Sequence, residues 1–281
     1  MGLCKGNLGN LMQHWVLCEI LDELSRDSQT HLLFACSHSM APWSVPQPVD
    51  YAQDQSSRTR SRRPFDAARQ AMIRQPRSLF EYAWQSLSSR DGLPYPSSAL
   101  FTWQVWSNQL SMLLCEANDS VAAEIEAWFG LPETTERLQR HQLHDDDWRT
   151  GITNDAITSF ESDVIVAEFD PMRFEHHGID ECSRDDRAVM YPEDLDVVID
   201  AFDGIEKPIV LQISSYSANN NNPHRIVEPA ITNRLSGAGF TLHGRVEADG
   251  NMISLVYVRD VSLWPTAQTL GDRFAAWRAG S

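Results

Sequence analysis

The candidate catalytic group is a carboxylate that directly follows an apolar run. The run 164–166 (VIV) predicts a buried strand, and the segment 167–173 (AEFDPMR) comes next. Ligands of open α/β sheets bind at the carboxyl ends of the strands, so Asp170, stiffened by Pro171, is expected at a cleft. A carboxylate there can hold an amine or ammonium group and orient the lone pair of the amine, an effect of positioning. The alternative is an aspartate that only forms a turn before proline.

Two further polar residues follow predicted strands. His38 comes after the apolar run 31–36, and Glu116 comes after the run 111–115. Ligands of open α/β sheets bind at the carboxyl ends of the strands, so both side chains are candidates for ligand contact. A turn histidine and a solvated strand-end acid are the alternatives. Arg173, close to Asp170, carries a guanidinium fork suited to a carboxylate or a phosphate.

The sequence gives no metal motif. Glu175, His176 and His177 are adjacent, whereas metal sites use separated pairs such as histidines at i and i+4. The chain also has no Gly-x-Ser-x-Gly elbow and no Walker loop. The five cysteines lack paired spacing, which favours free, buried thiols in a reducing compartment; they are Cys4, Cys18, Cys36, Cys115 and Cys182.

Charge limits the choice of partner. The formal net charge is -16, a sign that repels polyphosphate backbones and disfavours broad nucleic-acid binding. Arginines nevertheless crowd one segment, where they could grip an anion or pair with the protein's own acids; they are Arg58, Arg60, Arg62, Arg63, Arg69, Arg74, Arg77 and Arg90. The sequence shows no signal peptide and no apolar run near the roughly 20 residues of a membrane span, so we predict a cytoplasmic protein without membrane partners.

Periodicity predicts alternating helices and strands. Helices are expected at 8–27, 65–89, 121–129, 192–202 and 225–235, and strands at 31–36, 111–115, 164–169 and 209–213. A terminal hairpin is expected from 240–246 and 252–258. Asp119 or Ser120 is expected to cap the helix at 121–129, and a serine in the segment 94–98 (PYPSS) to cap the helix after it. This order predicts a doubly wound α/β sheet whose last strand is antiparallel, with residues 43–95 inserted between the core segments 1–42 and 96–281.

Several motifs then match one family in order along almost the whole chain. The segments 6–14 (GNLGNLMQH), 37–42 (SHSMAP) and 95–98 (YPSS), together with Glu116, Asp155 and the segment 170–173 (DPMR), have the order and spacing of the RlmJ-type enzymes. Those enzymes methylate N6 of an adenine in large-subunit ribosomal RNA. The chain therefore resembles a class I S-adenosylmethionine-dependent methyltransferase with a seven-stranded, mostly parallel Rossmann-like sheet and a helical insertion after the first strand.

The resemblance implies a role for each matching residue. It implies that Glu116 accepts the ribose hydroxyls of S-adenosylmethionine, that Asp155 contacts the adenine amino group and that His14, His38 and Ser98 line the cofactor site. It also implies that Asp170 is catalytic. The residues themselves leave alternatives open: His14 lies on an apolar helix face and could be a buried, hydrogen-bonded histidine, and Asp155 could cap a helix.

The chain departs from the family pattern where the family has glycines and an aromatic ring. Met40 and Pro42 replace first-strand glycines that let the backbone approach the cofactor. Gln13 replaces a lysine, and Arg173 replaces the tyrosine that stacks on the target base. Together with the acidic charge, these departures favour an amine-bearing small molecule or peptide over RNA as acceptor. The alternatives are an RNA adenine methyltransferase, a non-catalytic binding protein of the same fold, and other S-adenosylmethionine chemistry such as alkyl transfer or cyclisation.

Overall fold

The structure is a computed structural model of the 281-residue chain. It describes residues 8–26, 30–44, 65–70, 75–88, 94–170, 173–174, 189–190, 193–216, 223–248 and 252–280. The predictions made for the Glu175–His177 run and for most of the arginine-rich segment lie outside these residues.

A seven-stranded sheet forms the centre of the molecule, in the order β10-β11-β9-β6-β1-β4-β5. Its strands are β1 Leu32–Cys36, β4 Leu110–Cys115, β5 Leu138–His144, β6 Val164–Phe169, β9 Ile209–Tyr216, β10 Thr241–Ala248 and β11 Met252–Arg259. The pairs from β5 to β9 are parallel, and β11 is antiparallel to both of its neighbours. This confirms the α/β fold class, with a mostly parallel sheet and an antiparallel last strand.

Helices cover both faces of the sheet. They are α1 Leu8–Leu24, α2 at 65–70, α3 Leu79–Leu87, α4 Ser98–Val105, α5 Asp119–Phe129, α6 Pro132–Thr135, α7 Trp148–Gly151, α8 Asn154–Thr158, α9 Asp194–Phe202, α10 Pro223–Gly237 and α11 Ala267–Ala279. One apolar cluster packs α1, α3, α4 and α11 against one face, called here the α1 face. A second cluster packs α9 and α10 against the other face. The two faces explain why the central strands are apolar throughout.

Small paired segments lie beside the main sheet. Strand β2, Trp43–Ser44, pairs antiparallel with β3, Tyr95–Pro96, and β7, Arg173–Phe174, pairs parallel with β8, Val189–Met190. The β2–β3 pair joins the two ends of the segment predicted as an insertion, and Ser97 N–H extends the contact by donating to the Pro42 carbonyl at 3.0 Å. The loop after β1 is thereby held close to the start of α4.

The structure corrects several predicted boundaries. Asn118, rather than Asp119 or Ser120, caps α5, because its side-chain oxygen accepts from the backbone of Ser120 and Val121. Ser97 caps α4, as expected for this turn. The sequence analysis missed β5 and α11. Strand β5 is an edge strand that is mostly exposed, so its polar residues show no apolar run.

No helix in the described part of the chain combines the length and the apolar character that a membrane span requires.

Candidate functional site

The centre of the candidate site is Glu168, a fully buried acid in β6. The sheet register places it beside Cys36 of β1 and Gln212 of β9, so the three side chains lie in one row across the sheet. The Cys36 thiol donates to Glu168 Oε2 at 3.5 Å. The sequence gives no sign of this row, because Glu168 lies within an apolar run. The three side chains come together only when β6 pairs with β1 and β9.

Gln13 of α1 lies over this row and joins two acids. Its side-chain amide donates to Glu168 Oε1 at 2.9 Å and also hydrogen-bonds to the carboxyl group of Asp170. The Gln13 carbonyl in turn accepts from Gln212 Nε2 at 2.8 Å. Because residues two apart on a strand point to the same side, the carboxyls of Glu168 and Asp170 both face α1.

Burial raises the pKa values of both acids above their ordinary range. Burial raises the pKa of Glu168, and hydrogen bonds from Ser98, Gln13 and Cys36 offset part of the rise. Burial of the carboxyl group raises the pKa of Asp170 to about 8, and the negative charge of Glu168 adds to the effect. Asp170 as a residue is half-buried, while its carboxyl group is surrounded by protein. The pair can therefore hold a proton near neutral pH.

His14 is a buried structural histidine with a partner on each side. It is fully buried; its Nδ1 lies 2.7 Å from Tyr95 Oη and its Nε2 lies 2.9 Å from Ser98 Oγ. Burial lowers the pKa of His14 to about 3, so the ring is neutral. Of the two interpretations left open by the sequence, the hydrogen-bonded core histidine agrees with this geometry. Ser98 links the histidine to Glu168 and thus adjoins the acid pair.

The loop after β1 closes over the carboxyl edge of the sheet. Ser37 N–H donates to the Glu168 carbonyl at 3.0 Å, and Ser39 N–H donates to the Cys115 carbonyl at 2.8 Å. The half-buried His38 has its Nδ1 2.6 Å from Ser37 Oγ, and its ring lies 6.2 Å from that of Trp148. The loop thus places His38 between the ends of β6 and β4.

Trp148 is a site-wall residue that the sequence analysis missed. It follows β5, is buried, and packs edge-on against Phe169 with ring centroids 5.4 Å apart. Phe169 lies between the two acids in the chain, but its side chain points away from the α1 face, as strand alternation requires. Trp148 and Phe169 therefore form an aromatic surface at the carboxyl edge of the sheet, on the face opposite the acid pair.

Glu116 follows β4 directly and is partly exposed. Its Oε1 accepts from the Asn118 backbone N–H at 2.9 Å, and its own N–H donates to the His144 carbonyl at 3.0 Å. The carboxylate is thus held at the edge of the sheet between β4 and β5. A partly exposed, oriented carboxylate there has the chemistry to accept hydroxyl groups of a ligand.

Asp155 is not brought to this edge. It is exposed in the first turn of α8, which Thr153 caps. The neighbouring Asn154 side chain donates to the Asp203 carbonyl at 2.8 Å, in the turn that precedes β9. This hydrogen bond holds α8 near the amino ends of the strands. The position of Asp155 therefore does not agree with the expected contact to a ligand at the carboxyl edge.

Arg173 was predicted to contact the substrate. The structure describes its backbone, which pairs with Val189 in the β7–β8 ladder. Within the described ranges, no group of three or more histidine, cysteine or acidic residues is arranged to hold a metal ion. Met40 is half-buried and Pro42 is buried in the loop after β1.

Comparison with known proteins shows likeness at the level of structure. No protein-family model matches the chain, and no curated protein matches its sequence significantly. The protein LPL1258 of Legionella pneumophila, described as family-model DUF519, has a TM-score of 0.54 at 13% identity, covering 91% of this chain and 86% of that one. At this identity, the likeness concerns the fold alone.

Structures of S-adenosylmethionine-dependent methyltransferases are among the other neighbours. Magnesium protoporphyrin IX methyltransferase from Synechocystis, with bound S-adenosylmethionine, has a TM-score of 0.41 at 9% identity and covers 89% of this chain and 81% of that one. A methyltransferase from Aquifex aeolicus has a TM-score of 0.34 at 9% identity, with 85% and 90% covered.

Proposed function

We propose that the protein is a transferase that uses S-adenosylmethionine and acts on an amine-bearing acceptor, a small molecule or a peptide. The observation that carries this proposal is the meeting of three polar residues at one edge. His38, Glu116 and Asp170 follow the carboxyl ends of β1, β4 and β6, which are neighbours in the parallel part of the sheet. Ligands of such sheets bind at this edge.

The residues present suit the cofactor in part. Glu116, partly exposed and oriented by Asn118 N–H, would hold the ribose hydroxyls, and the loop with His38 would flank the rest of the molecule. S-adenosylmethionine supplies an electrophilic methyl group next to a sulfonium. Met40 and Pro42 would narrow the space for the cofactor along the loop after β1. We do not propose a contact between Asp155 and the cofactor.

The acceptor side of the proposal rests on Asp170. Asp170 follows the carboxyl end of β6, where its carboxyl would hold a nitrogen and orient the lone pair toward the methyl carbon. Arg173, two residues beyond the proline, would hold a carboxylate or phosphate of the acceptor. A net charge of -16 weakens any attraction to RNA, which favours the smaller acceptor.

Calorimetric titration with S-adenosylmethionine and S-adenosylhomocysteine tests the cofactor. We expect both to bind the wild type, and Glu116→Ala to weaken binding by more than about tenfold because a charge-assisted pair is lost. Glu124→Ala, which removes an exposed glutamate from α5, is the matched control and should bind as the wild type does. Absence of binding to the wild type would point to a non-catalytic protein of this fold.

A second titration separates the acceptor classes. Binding to an RNA hairpin should be weak and should vanish with modest salt. Tight and sequence-selective binding at physiological salt would instead favour an adenine methyltransferase that acts on RNA.

A further inference from the structure

The two edges of the main sheet differ in how they are covered. At one edge, β10 has an irregular register between Leu242 and Gly244, and α11 packs on it so closely that a Cβ at Gly271 would lie 2.8 Å from the Arg245 carbonyl oxygen. At the other edge, no strand in the part of the chain that the structure describes pairs with the outer side of β5. Bulges and covering helices keep a sheet edge from pairing with another chain, and β10 has both.

The outer side of β5 presents a regular row of backbone groups. The Glu116 N–H donates to the His144 carbonyl at 3.0 Å, so the backbone groups of His144 point toward β4. The backbone groups of successive strand residues alternate in direction, which directs the N–H and C=O of His141 and Leu143 outward. The register with β4 is regular over 140–144, and the strand contains neither proline nor lysine. The edge therefore has the geometry of a template for a further strand.

The charges along this edge run from basic to acidic. Arg137 and Arg140 lie at the start of β5, the acidic run 145–147 (DDD) follows its end, and residues 139–142 are exposed. An antiparallel strand of the same sequence would place the basic start of one β5 beside the acidic end of the other. A parallel strand in register would instead place arginine beside arginine and acid beside acid. The edge is thus complementary in charge to a second copy of itself, related by a two-fold axis.

We propose that the protein forms a two-fold symmetric dimer in which the β5 strands of two copies pair antiparallel and join the two sheets into one. With the axis at Gln142, His141 of each copy lies opposite Leu143 of the other, and these residues exchange N–H and C=O groups. Arg140 then lies opposite His144, next to the acidic run of the second copy, which is within reach of its long side chain.

The overall charge opposes this association only at long range. Two copies with a formal net charge of -16 repel each other, but screening at physiological salt limits the repulsion to a distance of about 8 Å. Residues opposite each other on paired antiparallel strands lie only about 5 Å apart. The local charge pairs therefore act at a shorter distance than the repulsion between the two bodies. The dimer does not depend on the proposed transferase function.

Sedimentation of the full chain at about 0.15 M salt and from about 1 to 200 µM protein gives the first test. We expect a dimer to form within this range. His141→Pro removes an outward donor, a change that the open side of an edge strand tolerates, and should abolish the dimer. His141→Ala removes the ring but keeps the donor, so this matched control should dimerise as the wild type does. A wild type that stays monomeric, or a folded His141→Pro that dimerises normally, would overturn the proposal.

Charge reversal tests the orientation without a proline. Arg140→Glu places acid beside acid and should weaken the dimer by about tenfold or more. Adding Asp145→Arg and Asp146→Arg should restore it. Arg26→Glu, the same change at an exposed arginine of α1, is the control and should leave the dimer unchanged. Equal association of Arg140→Glu and the wild type would contradict the antiparallel pairing.

Hydrogen exchange followed by NMR locates the interface. In the dimeric wild type, the amides of His141 and Leu143 should be protected, and in Arg140→Glu at the same concentration they should exchange faster. The amides of Gln142 and His144 behave differently: that of His144 points toward β4 and should stay protected in both proteins. Free exchange of His141 and Leu143 in a dimer would place the interface elsewhere. Equal protection in both proteins would mean that a segment of the same chain covers the edge; either result would overturn the proposal.

Discussion

Glu81 and Glu168 are both fully buried acids on the α1 face, but their surroundings differ. Glu81 of α3 accepts from the Arg77 guanidinium at 3.1 Å, from the Arg77 backbone N–H at 2.5 Å and from Trp277 Nε1 of α11 at 3.1 Å. Glu168 has neutral described donors and a second acid two residues away. The first acid is paired with a cation, whereas the donors described around the second are neutral.

The difference shows that burial alone does not mark a functional acid. A buried carboxylate with a cation is compensated within the protein, whereas a buried carboxylate with neutral donors keeps a tendency to bind a proton or an outside cation.

The largest expected effect is on the compensated acid. Arg77→Met removes the cation and leaves the Glu81 carboxylate buried without it, so we expect the free energy of unfolding to fall by about 3 kcal/mol. Urea denaturation measures this change. Adding Glu81→Gln to the variant should restore much of the loss, and a double variant as unstable as the single one would show that the charge pair is not the cause.

The second effect concerns the pH dependence of stability. The folded pKa of Asp170 is about 8, above the ordinary aspartate value of 3.8, so the folded protein binds more protons between these values. This contribution makes the free energy of unfolding fall as pH rises from about 4 to about 8.

Asp170→Asn should remove this slope and raise the free energy of unfolding by roughly 2 kcal/mol at pH 8, a value reduced for partial exposure. Thermal unfolding across this pH range provides the measurement. An Asn variant with the same pH profile as the wild type would contradict the assignment.

A smaller effect is expected when the charge of Glu168 is removed from beside Asp170. Glu168→Gln keeps the shape and removes the charge behind Asp170, so the pKa of Asp170 should fall by about one unit, equal to about 1.4 kcal/mol. NMR titration of the carboxyl carbon measures the fall. Glu81→Gln should produce no such change, and equal shifts in both variants would remove the distinction between the acids.

The smallest effects compare two helix caps. Ser78 caps α3, which carries Glu81, and Ser97 caps α4, which carries Ser98. Each serine-to-alanine change should lower the free energy of unfolding by about 1 kcal/mol. Only Ser97→Ala should also move the titration of Asp170, because it loosens the Ser98 contact with Glu168; a shift in Ser78→Ala instead would contradict this.

The sequence predicted the sheet well because its central strands are apolar on both faces. The strand Val164–Phe169 has the bounds that its apolar run indicated, and the antiparallel last strand was confirmed. The terminal helix α11 was missed because buried residues such as Leu270 and Phe274 are few and widely spaced in it. Runs of apolar residues therefore predicted the central strands, and a helix with few buried residues gave no such signal.

The site was predictable only in part. Asp170, His38 and Glu116 could be named because each follows a strand, and topology gathers such residues at one edge. Glu168 was passed over because a single acid inside an apolar run gives no local sign of its partners. Gln13 was noted as a departure from a family pattern, but its position between two acids depends on how α1 crosses the sheet.

These long-range contacts also affect how the chain folds. Gln13 and Glu168 are 155 positions apart in the sequence, and Gln212 and Gln13 are 199 positions apart. Loop closure over such distances is slow, and the apolar α1 is synthesised long before its partners in β6 and β9. We expect the acid site to be among the last parts to assemble during synthesis, after β9 has emerged from the ribosome.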